Sequence, residues 1–568
     1  MDTKEKIRQE ISGLLAHATG MKKEEIATSL ESPPDPSFGD FAFPCFPLAK
    51  TMRKNPELIA DELAGKIKPE GPIKKIEPRG GYVNFFVSWD SVGEDVLSDI
   101  LDRNDDYGKS AENKETVLME FCHANTHKAF HIGHTRTLEL GESLSKVLEF
   151  AGFRVIRTNY QGDIGPHVAK CLWGLINLYS GKEPKDNRGR WLGEVYAAAS
   201  RKIKDDEQLK EQVDEINKKL YSGDKEILEL WKKTRQWSLD YFEGIYRDFG
   251  AKFDRLYFES ETEKPGTEVA KSLLKKKIAK MSDGAVVVDL EKYGLGVSVL
   301  ITGQGTPLYV TKDLGLAGMK MKEHKFDRSI HVVGSEQKLY FQQLFKILEL
   351  MGSPMAKKSY HLCYELVTLA EGKMSSREGV VILYEDLLAE LKKHALEETE
   401  KRNEDADRST LERTADLIAS AALKYDIIKV SPNKKIVFDW KEALNFEDNA
   451  APYILYSYAR ARSIMKKAET KNKKPEIDRL AHPTEKELIK MLSDFPGTVQ
   501  KAARDLRPHY IANYAYDLSV RFNEFYNNMP VLKAPDEERD ARLVLVESSA
   551  IVMKNALRLI GIEPPERM

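Results

Sequence analysis

The chain has 568 residues, of which 41% are hydrophobic and 31% charged, and its formal net charge at pH 7 is −2. This composition is ordinary for a globular protein, and the length predicts several domains with ample cores. A nucleic-acid partner would have to meet local basic and aromatic surfaces, because the net charge supplies no global positive field.

The sequence shows no sign of export or membrane insertion. No apolar run approaches membrane-spanning length, and the first twenty residues lack the apolar core of a signal peptide. The four cysteines lie far apart without a C-x-x-C pair, which argues against a disulfide framework and against a cysteine zinc site. We therefore expect a cytoplasmic protein with no membrane partner.

Residues 1–110 are predicted to form a separate small α+β domain. Ile7, Ile11 and Leu14 recur at helical spacing near the start. Later, Gly80 and Gly81 precede a strand-like run at 82–86. The aromatic residues of this run are expected to belong mainly to a sheet core.

Residues 111–384 are predicted to form an α/β domain with a parallel sheet. An apolar run at 117–121 reads as a buried strand, a polar loop follows, and His131-Ile-Gly-His134 opens a helical pattern. Strand, loop and helix start in this order form the nucleotide-binding corner of an open α/β sheet. We expect free N–H groups at the helix start to favour phosphate, Gly133 to admit a base or ribose, and the two imidazoles to donate hydrogen bonds to phosphate oxygens.

Two other interpretations of these histidines remain open. His123, His127 and His131 are spaced by four, which on a helix would form a metal-binding face. No cysteine or carboxylate cluster completes such a site nearby, and the strand–loop interpretation interrupts the helix. The histidines could also be core or solvated residues without a role, although four within 123–134 are hard to assign to packing.

The pattern Asn125-x-x-Lys128-x-x-His131-x-Gly133-His134 resembles the ATP-binding signature of class I aminoacyl-tRNA synthetases, in the form found in the arginyl-tRNA synthetase family. The resemblance implies a Rossmann-type catalytic domain that uses ATP with Mg²⁺ and holds no tightly bound metal. It implies ATP-dependent activation of L-arginine and transfer to tRNA(Arg). The catalytic residues that it implies are Lys128, His131, His134 and Lys373. The ATP-binding residues are Asn125, Lys128, His131, Gly133, His134, Gly334, Lys373, Met374 and Ser375.

Further along the catalytic domain, residues 155–159 are predicted to be the next strand, and residues of about 175–255 a charged helical insertion. The sheet is expected to resume in strand-like runs at 283–289 and 296–302, and an apolar strand at 329–334 completes it.

Several polar residues are expected to meet at the carboxyl edge of this sheet. By resemblance, the arginine-binding positions are Glu120, Asn125, Tyr309, Asp313 and Gln337. A guanidinium is planar and always charged, so carboxylates and carbonyls in a fixed plane suit it. Which carboxylate takes the guanidinium is left open, and each carboxylate alone could be a helix cap or a surface ion pair.

The stretch Glu371-Gly-Lys-Met-Ser-Ser-Arg-Glu-Gly379 resembles the second class I signature, the KMSKS loop that closes on the triphosphate. It departs from that signature at Ser376, where a lysine is usual. Within the family, a lysine upstream of the first signature then serves, and Lys128 stands at that position. We expect Lys128 and Lys373 to share the phosphate charge, with Arg377 as a third candidate, although the stretch alone could be a basic turn.

Residues 385–448 are predicted to be a helical connector and 449–568 an all-helical domain that resembles the family's anticodon-binding domain. On that resemblance Tyr453, Tyr526 and Met568 are candidate anticodon contacts, since splayed bases need stacking surfaces. The N-terminal domain resembles the module that contacts the tRNA elbow, with Tyr82 and Asn84 as candidates.

The family also implies that arginine activation waits for bound tRNA. We expect a monomer, and we expect Cys122, beside the active-site loop, to be sensitive to thiol reagents. Rival interpretations are a class I synthetase for another amino acid, a catalytically inactive tRNA-binding relative and a small-molecule nucleotidyltransferase. The last would have no use for the helical C-terminal domain.

Overall fold

The structure is a computed structural model, and it describes residues 3–33, 35–369, 382–402, 406–468, 477–566 and 568. No helix within these ranges is long and apolar enough to cross a membrane. The predicted fold class is confirmed: an α/β domain with a parallel sheet lies between an α+β N-terminal domain and an all-helical C-terminal domain.

The N-terminal domain surrounds a three-stranded antiparallel sheet with the order β1-β3-β2. Apolar faces of its helices close one core over this sheet, in which Ile11, Phe41 and Phe85 are fully buried. The elements are α1 (Thr3–Thr19), α2 (Lys23–Ser29), β1 (Phe41–Pro44), α3 (Phe46–Met52), α4 (Pro56–Lys66), β2 (Ile73–Arg79), β3 (Tyr82–Val87) and α5 (Trp89–Arg103).

The catalytic domain is built on five parallel strands with the order β11-β10-β4-β5-β6. Its strands are β4 (Thr116–Glu120), β5 (Arg154–Gln161), β6 (Arg255–Phe258), β7 (Lys280–Ser282), β8 (Ala285–Asp289), β9 (Val297–Ile301), β10 (Arg328–Gly334) and β11 (Ser359–Tyr364). Its helices are α6 (Ile132–Phe150), α7 (Pro166–Asn177), α8 (Arg188–Ile203), α9 (Glu207–Ser222), α10 (Lys225–Phe249), α11 (Glu259–Lys275), α12 (Tyr309–Glu323), α13 (Lys338–Leu350) and α14 (Met355–Lys358).

The strand order places a crevice at the centre of the sheet. The chain runs from β4 outward through β5 to β6, and then returns to add β10 and β11 on the other side of β4. Ligands of open α/β sheets bind at such a reversal, beyond the carboxyl ends of the two central strands. Here those ends are Glu120 and Gly334.

One prediction about the sheet is wrong. The runs at 283–289 and 296–302 do not continue the parallel sheet but form β8 and β9 of a separate antiparallel sheet with the order β7-β8-β9. A parallel pair needs a crossover of about a dozen residues or more, and the short link between these two runs permits only antiparallel pairing.

Among the described residues from 365 onward, helices predominate, and one pair of short strands, Val367–Leu369 with Ile436–Phe438, accompanies them. The buried faces of these helices merge with the core of the catalytic domain, where α16 and α22 both contact α6. The elements are β12 (Val367–Leu369), α15 (Tyr384–Arg402), α16 (Arg408–Ile428), β13 (Ile436–Phe438), α17 (Trp440–Ala443), α18 (Ala451–Ala468), α19 (Pro483–Ser493), α20 (Phe495–Asp505), α21 (His509–Asn528) and α22 (Asp536–Leu559).

Candidate active site

A cavity of about 870 Å³ opens at the carboxyl ends of β4 and β10. All the candidate ATP- and arginine-binding residues that the structure describes line it. They are Glu120, Asn125, Lys128, His131, Gly133, His134, Tyr309, Asp313, Gly334 and Gln337. The remaining candidates of this group, Lys373, Met374 and Ser375, lie outside the described residues.

The loop between β4 and α6 is held in a strained backbone conformation. Cys122, His123 and His127 have φ angles of 83°, 55° and 61°, in the left-handed region that non-glycine residues rarely adopt. The His123 N–H donates to Asn159 Oδ1 at 3.2 Å, and the His127 N–H donates to Ser238 Oγ at 2.9 Å. The surrounding structure therefore fixes the loop, and part of that support comes from α10 of the insertion.

The structure does not place His123, His127 and His131 on one helical face, because residues 121–130 form a loop. His127 is buried, and its two ring nitrogens lie 2.9 and 2.8 Å from the hydroxyls of Thr126 and Thr234. Burial lowers the pKa of His127 to about 3, so the ring is neutral. No group of three or more metal-ligating side chains was found within the described residues.

His131 and His134 form a rigid pair at the start of α6. His131 is the N-cap residue, and its Nδ1 accepts from the Gly133 N–H at 3.1 Å. The Nδ1 of His134 accepts from the His131 N–H at 3.3 Å, and the two rings stack with centroids 3.7 Å apart. Burial, followed by the charge of Lys128, lowers the pKa of His131 to about 4, and burial lowers that of His134 well below its usual range. Each neutral ring therefore carries its proton on Nε2, assigned from these hydrogen bonds, and keeps that N–H as a donor.

The helix start itself does not offer the free backbone donors that the sequence led us to expect. The Ile132 N–H donates to the Ile382 carbonyl at 3.1 Å, and the His134 N–H donates to the His131 carbonyl at 2.8 Å. Since the Gly133 N–H is bonded to His131, all three N–H groups already have acceptors. The imidazole Nε2–H groups replace the backbone as the donors of this corner.

Asn125 and Lys128 are positioned by close packing. A Cβ added at Gly162 would lie 2.3 Å from Asn125 Oδ1, so this glycine admits the Asn125 side chain rather than a ligand. The Lys128 ammonium lies 5.1 Å from the centre of the Tyr196 ring, a cation–π contact supplied by α8 of the insertion.

The carboxylates in the cavity differ sharply in their partners. Glu120 is 3% exposed and contacts both Lys320 and His331. Asp313 accepts a hydrogen bond from the Tyr340 hydroxyl, and no ion pair of Asp313 occurs within the described residues. Burial raises the pKa of Asp313 to about 7.

Sequence reasoning missed several residues of this cavity, chiefly Tyr160, Glu259, Lys320, His331 and Tyr340. Glu259 directly follows β6, so the strand-end rule that identified Glu120 applies to it as well. Lys320 follows Asp313 by seven residues, which on α12 puts both on one face. No sequence signal marks Tyr160 or Tyr340.

The expectation for Cys122 is not supported by the structure. The thiol is 1% exposed, and burial raises its pKa to about 12. The reactive thiolate is therefore scarce and inaccessible.

The candidate tRNA contacts lie away from this cavity and differ in exposure. Tyr526 and Met568 line a second cavity of about 1440 Å³ in the helical domain, where the Arg460 guanidinium lies 5.1 Å from the Tyr526 ring. Tyr453 is half-buried and packs against Tyr516, with ring centroids 5.5 Å apart.

In the N-terminal domain, Tyr82 is partly exposed and packs edge-on against Phe46. Asn84 lies on the central strand β3 and is only 4% exposed. A base therefore has almost no surface of Asn84 to contact, and we do not retain Asn84 as a candidate.

A parallel sheet of this order, with the His-x-Gly-His helix start beside its central crevice, characterises the catalytic domain of class I aminoacyl-tRNA synthetases. The family model described as tRNA synthetases class I (R), catalytic domain, matches residues 96–440. Models described as the arginyl tRNA synthetase N terminal domain and the DALR anticodon binding domain match residues 2–87 and 454–568.

Similar proteins extend this result over the whole chain. The arginine–tRNA ligase of Clostridium perfringens is 38% identical, with 96% of this chain and 97% of the relative covered. That of Bdellovibrio bacteriovorus is 34% identical, with coverage of 96% and 95%. The structure of Thermus thermophilus arginyl-tRNA synthetase superposes with a TM-score of 0.83 at 28% identity, covering 99% of this chain and 100% of that one. The chain belongs to the arginyl-tRNA synthetase family.

The matched ranges differ from the domain bounds that we predicted. The catalytic match extends to residue 440 and so includes most of the predicted connector at 385–448. The N-terminal match ends at 87, before α5, rather than at 110. The bounds 1–110, 111–384, 385–448 and 449–568 stay predictions.

Proposed function

We propose that the cavity at β4 and β10 carries out the reaction of this family, the ATP-dependent ligation of L-arginine to tRNA(Arg). In the first step the arginine carboxylate attacks the α-phosphate of ATP and diphosphate leaves. In the second, a ribose hydroxyl at the tRNA 3′ end attacks the arginyl-adenylate and AMP leaves. Neither step needs a protein nucleophile, so the protein contributes positioning and charge stabilisation.

The observation that carries the arginine assignment is the carboxylate of Asp313, which lines the cavity, is only partly exposed and has no ion pair within the described residues. A carboxylate that is largely removed from water and has no counter-ion favours a ligand that brings a positive charge. Glu120 and Glu259 do not meet this description, because Lys320 and Lys312 already contact them. We therefore assign the guanidinium to Asp313.

The other candidates complete the arginine subsite around this ion pair. Tyr309 is 69% exposed at the start of α12, on the same helix as Asp313, where its ring can cover the bound side chain. Asn125 and Gln337, which line the same cavity, supply amide groups. Glu120 borders this subsite, with its two oxygens held by Lys320 and His331.

We propose that ATP lies along the start of α6. The Nε2–H groups of His131 and His134 donate to phosphate oxygens, and Lys128 neutralises the charge that builds up during the displacement. Gly133 and Gly334 are assigned to ATP on the family resemblance, since a Cβ at these positions would meet the side chains of His131 and Glu336. Lys373, Met374 and Ser375 are assigned to the triphosphate on the family resemblance alone.

Mg²⁺ is proposed to arrive with ATP, with phosphate oxygens and water as its ligands. When bound, it would neutralise phosphate charge beside Lys128. No dedicated protein cage is proposed for it.

For tRNA we propose contacts at both ends of the molecule. Tyr526, Met568 and Tyr453 are assigned to anticodon bases, and Tyr82 to the elbow. We propose that the protein acts as a monomer in the cytoplasm.

The direct test is aminoacylation of a tRNA(Arg) transcript with radiolabelled arginine, compared with lysine. The wild-type protein should charge arginine, and Asp313→Asn should raise the arginine KM with a smaller effect on the ATP KM. Equal charging of lysine, or an unchanged arginine KM in Asp313→Asn, would contradict the assignment.

A further inference from the structure

A lysine side chain is completely buried in the floor of the arginine subsite. Lys320 is 0% exposed and lines the cavity. It lies on α12, the helix that also carries Tyr309 and Asp313. Its ammonium contacts the Oε2 atom of Glu120. A lysine in such surroundings needs a specific partner, because burying an uncompensated ammonium is costly.

Glu120 is held on both of its oxygens by residues of the protein. The second oxygen, Oε1, lies 2.8 Å from His331 Nδ1. The other ring nitrogen of His331, Nε2, lies 3.3 Å from the Ser329 hydroxyl. Burial lowers the pKa of His331, so the ring is neutral, donates to Glu120 from Nδ1 and accepts from Ser329. Lys320 is thus the cation that balances the charge of Glu120.

A second carboxylate of the cavity, Glu259, also pairs with a lysine of α12, whereas Asp313 does not. Glu259 accepts a hydrogen bond from the Lys312 ammonium at 2.9 Å. Of the three carboxylates Glu120, Glu259 and Asp313 that line the cavity, two contact lysines from α12. Asp313 itself stands on that helix between Lys312 and Lys320, and within the described residues it has no ion pair.

We propose that Lys320 is a specificity-determining residue. Its ammonium remains paired with the Glu120 carboxylate, so the substrate guanidinium binds Asp313 instead. This inference rests on the proposed function of the cavity. A lysine ammonium is a compact point charge that any uncompensated carboxylate can bind, whereas the guanidinium needs planar acceptors. If Glu120 were free, it would offer substrate lysine or ornithine a second anionic site, and arginine a second, unproductive position.

The test is pyrophosphate exchange with arginine and with lysine, in the presence of tRNA, for the wild-type protein and Lys320→Ala. We expect kcat/KM for arginine to fall on the order of 100-fold, as when one member of a buried charge pair is removed. The arginine-to-lysine ratio of kcat/KM should fall by about tenfold or more, because the freed Glu120 accepts the ammonium. If Lys320 had a purely structural role, the substitution would lower kcat/KM for arginine and for lysine by the same factor and leave their ratio unchanged.

A chemical rescue experiment uses the vacated space. Ethylammonium should restore kcat/KM for arginine in Lys320→Ala, since it can place an N–H donor against Glu120. Choline, which has no N–H group, should not. Lys322→Ala is the matched control, because Lys322 is exposed on the same helix and outside the cavity. It should behave as the wild-type protein does.

The double variant Glu120→Gln/Lys320→Met removes both charges, and it carries the test if Lys320→Ala does not fold. Its arginine-to-lysine ratio should stay within about twofold of wild type, because no free carboxylate remains at position 120. The role of Lys320 would be overturned if the arginine-to-lysine ratio were unchanged in Lys320→Ala or lost in the double variant. Arginine activation by the wild-type protein would still support the proposed function. Failure of the wild-type protein to activate arginine would overturn the proposed function itself.

Discussion

Arginine binding should depend on pH through Asp313. Burial raises the pKa of this carboxyl to about 7, so protons compete with the guanidinium near neutral pH. The ionised form binds the cation, and affinity is therefore full above pH 7 and lost as the pH falls below it. For a single group of this pKa, the apparent Kd should rise about tenfold between pH 8 and pH 6.

Histidines that line the cavity and Glu120 differ from Asp313 in the direction of their pKa shifts. Burial lowers the pKa of both His131 and His167 to about 4, so these two rings remain neutral from pH 6 to pH 8. Burial lowers the pKa of His331 as well. Lys320 and His331 hold the pKa of Glu120 well below its usual range, although burial alone would raise it. Asp313 is thus the group of the arginine subsite expected to titrate here.

The assay is equilibrium dialysis with radiolabelled arginine at pH 6, 7 and 8 and constant ionic strength. Asp313→Asn is the matched variant, since it keeps the shape but cannot ionise, and its weak binding should be independent of pH. A wild-type Kd that is constant over this range, or the same slope in Asp313→Asn, would refute the assignment of the guanidinium to Asp313.

Three further predictions concern the corner at α6 and its supports. His134→Ala should lower kcat of pyrophosphate exchange by about 100-fold with little change in the arginine KM, because it removes a donor to the transition state; an unchanged kcat would count against the Nε2–H donors. Gly162→Ala should lower kcat/KM by about tenfold, because the added Cβ would lie 2.3 Å from Asn125 Oδ1 and displace that side chain. Gly244→Ala in α10 should leave kcat/KM unchanged, because a Cβ there would meet nothing within 4 Å. Cys122 should resist iodoacetamide at pH 8 in the native protein, as followed by mass spectrometry of its peptide, and rapid alkylation would show that the loop opens.

Much of the active site could be predicted because it follows from strand ends. Glu120 directly ends β4, and the rule that ligands bind at the carboxyl edge of a parallel sheet applies to it without further information. Asp313 needed the family resemblance, since it lies inside α12 rather than after a strand.

The partners of these carboxylates could not be predicted in the same way. The contact of Lys320 with Glu120 joins residues 200 positions apart, and no local sequence feature marks the two as partners. Similarly, the donors at the start of α6 depend on the ring orientation of His131 and on the carbonyl of Ile382, neither of which local sequence determines.

Two differences outside the active site have physical causes too. Asn84 shares the two-residue period of Tyr82, but it lies buried in the middle of the central strand β3, whereas Tyr82 at the start of that strand is partly exposed. The runs that form β8 and β9 have the apolar character of buried parallel strands, and only the length of their connection indicates that they pair antiparallel.

The central claim is tested most directly by ATP–pyrophosphate exchange with each of the twenty amino acids, with and without total tRNA. We predict exchange with arginine, and only when tRNA is present, which would establish the substrate, the reaction and the requirement for tRNA together. Exchange with another amino acid would contradict the assignment of the cavity to arginine. No exchange under any condition, from folded protein that still binds tRNA, would contradict the catalytic function itself.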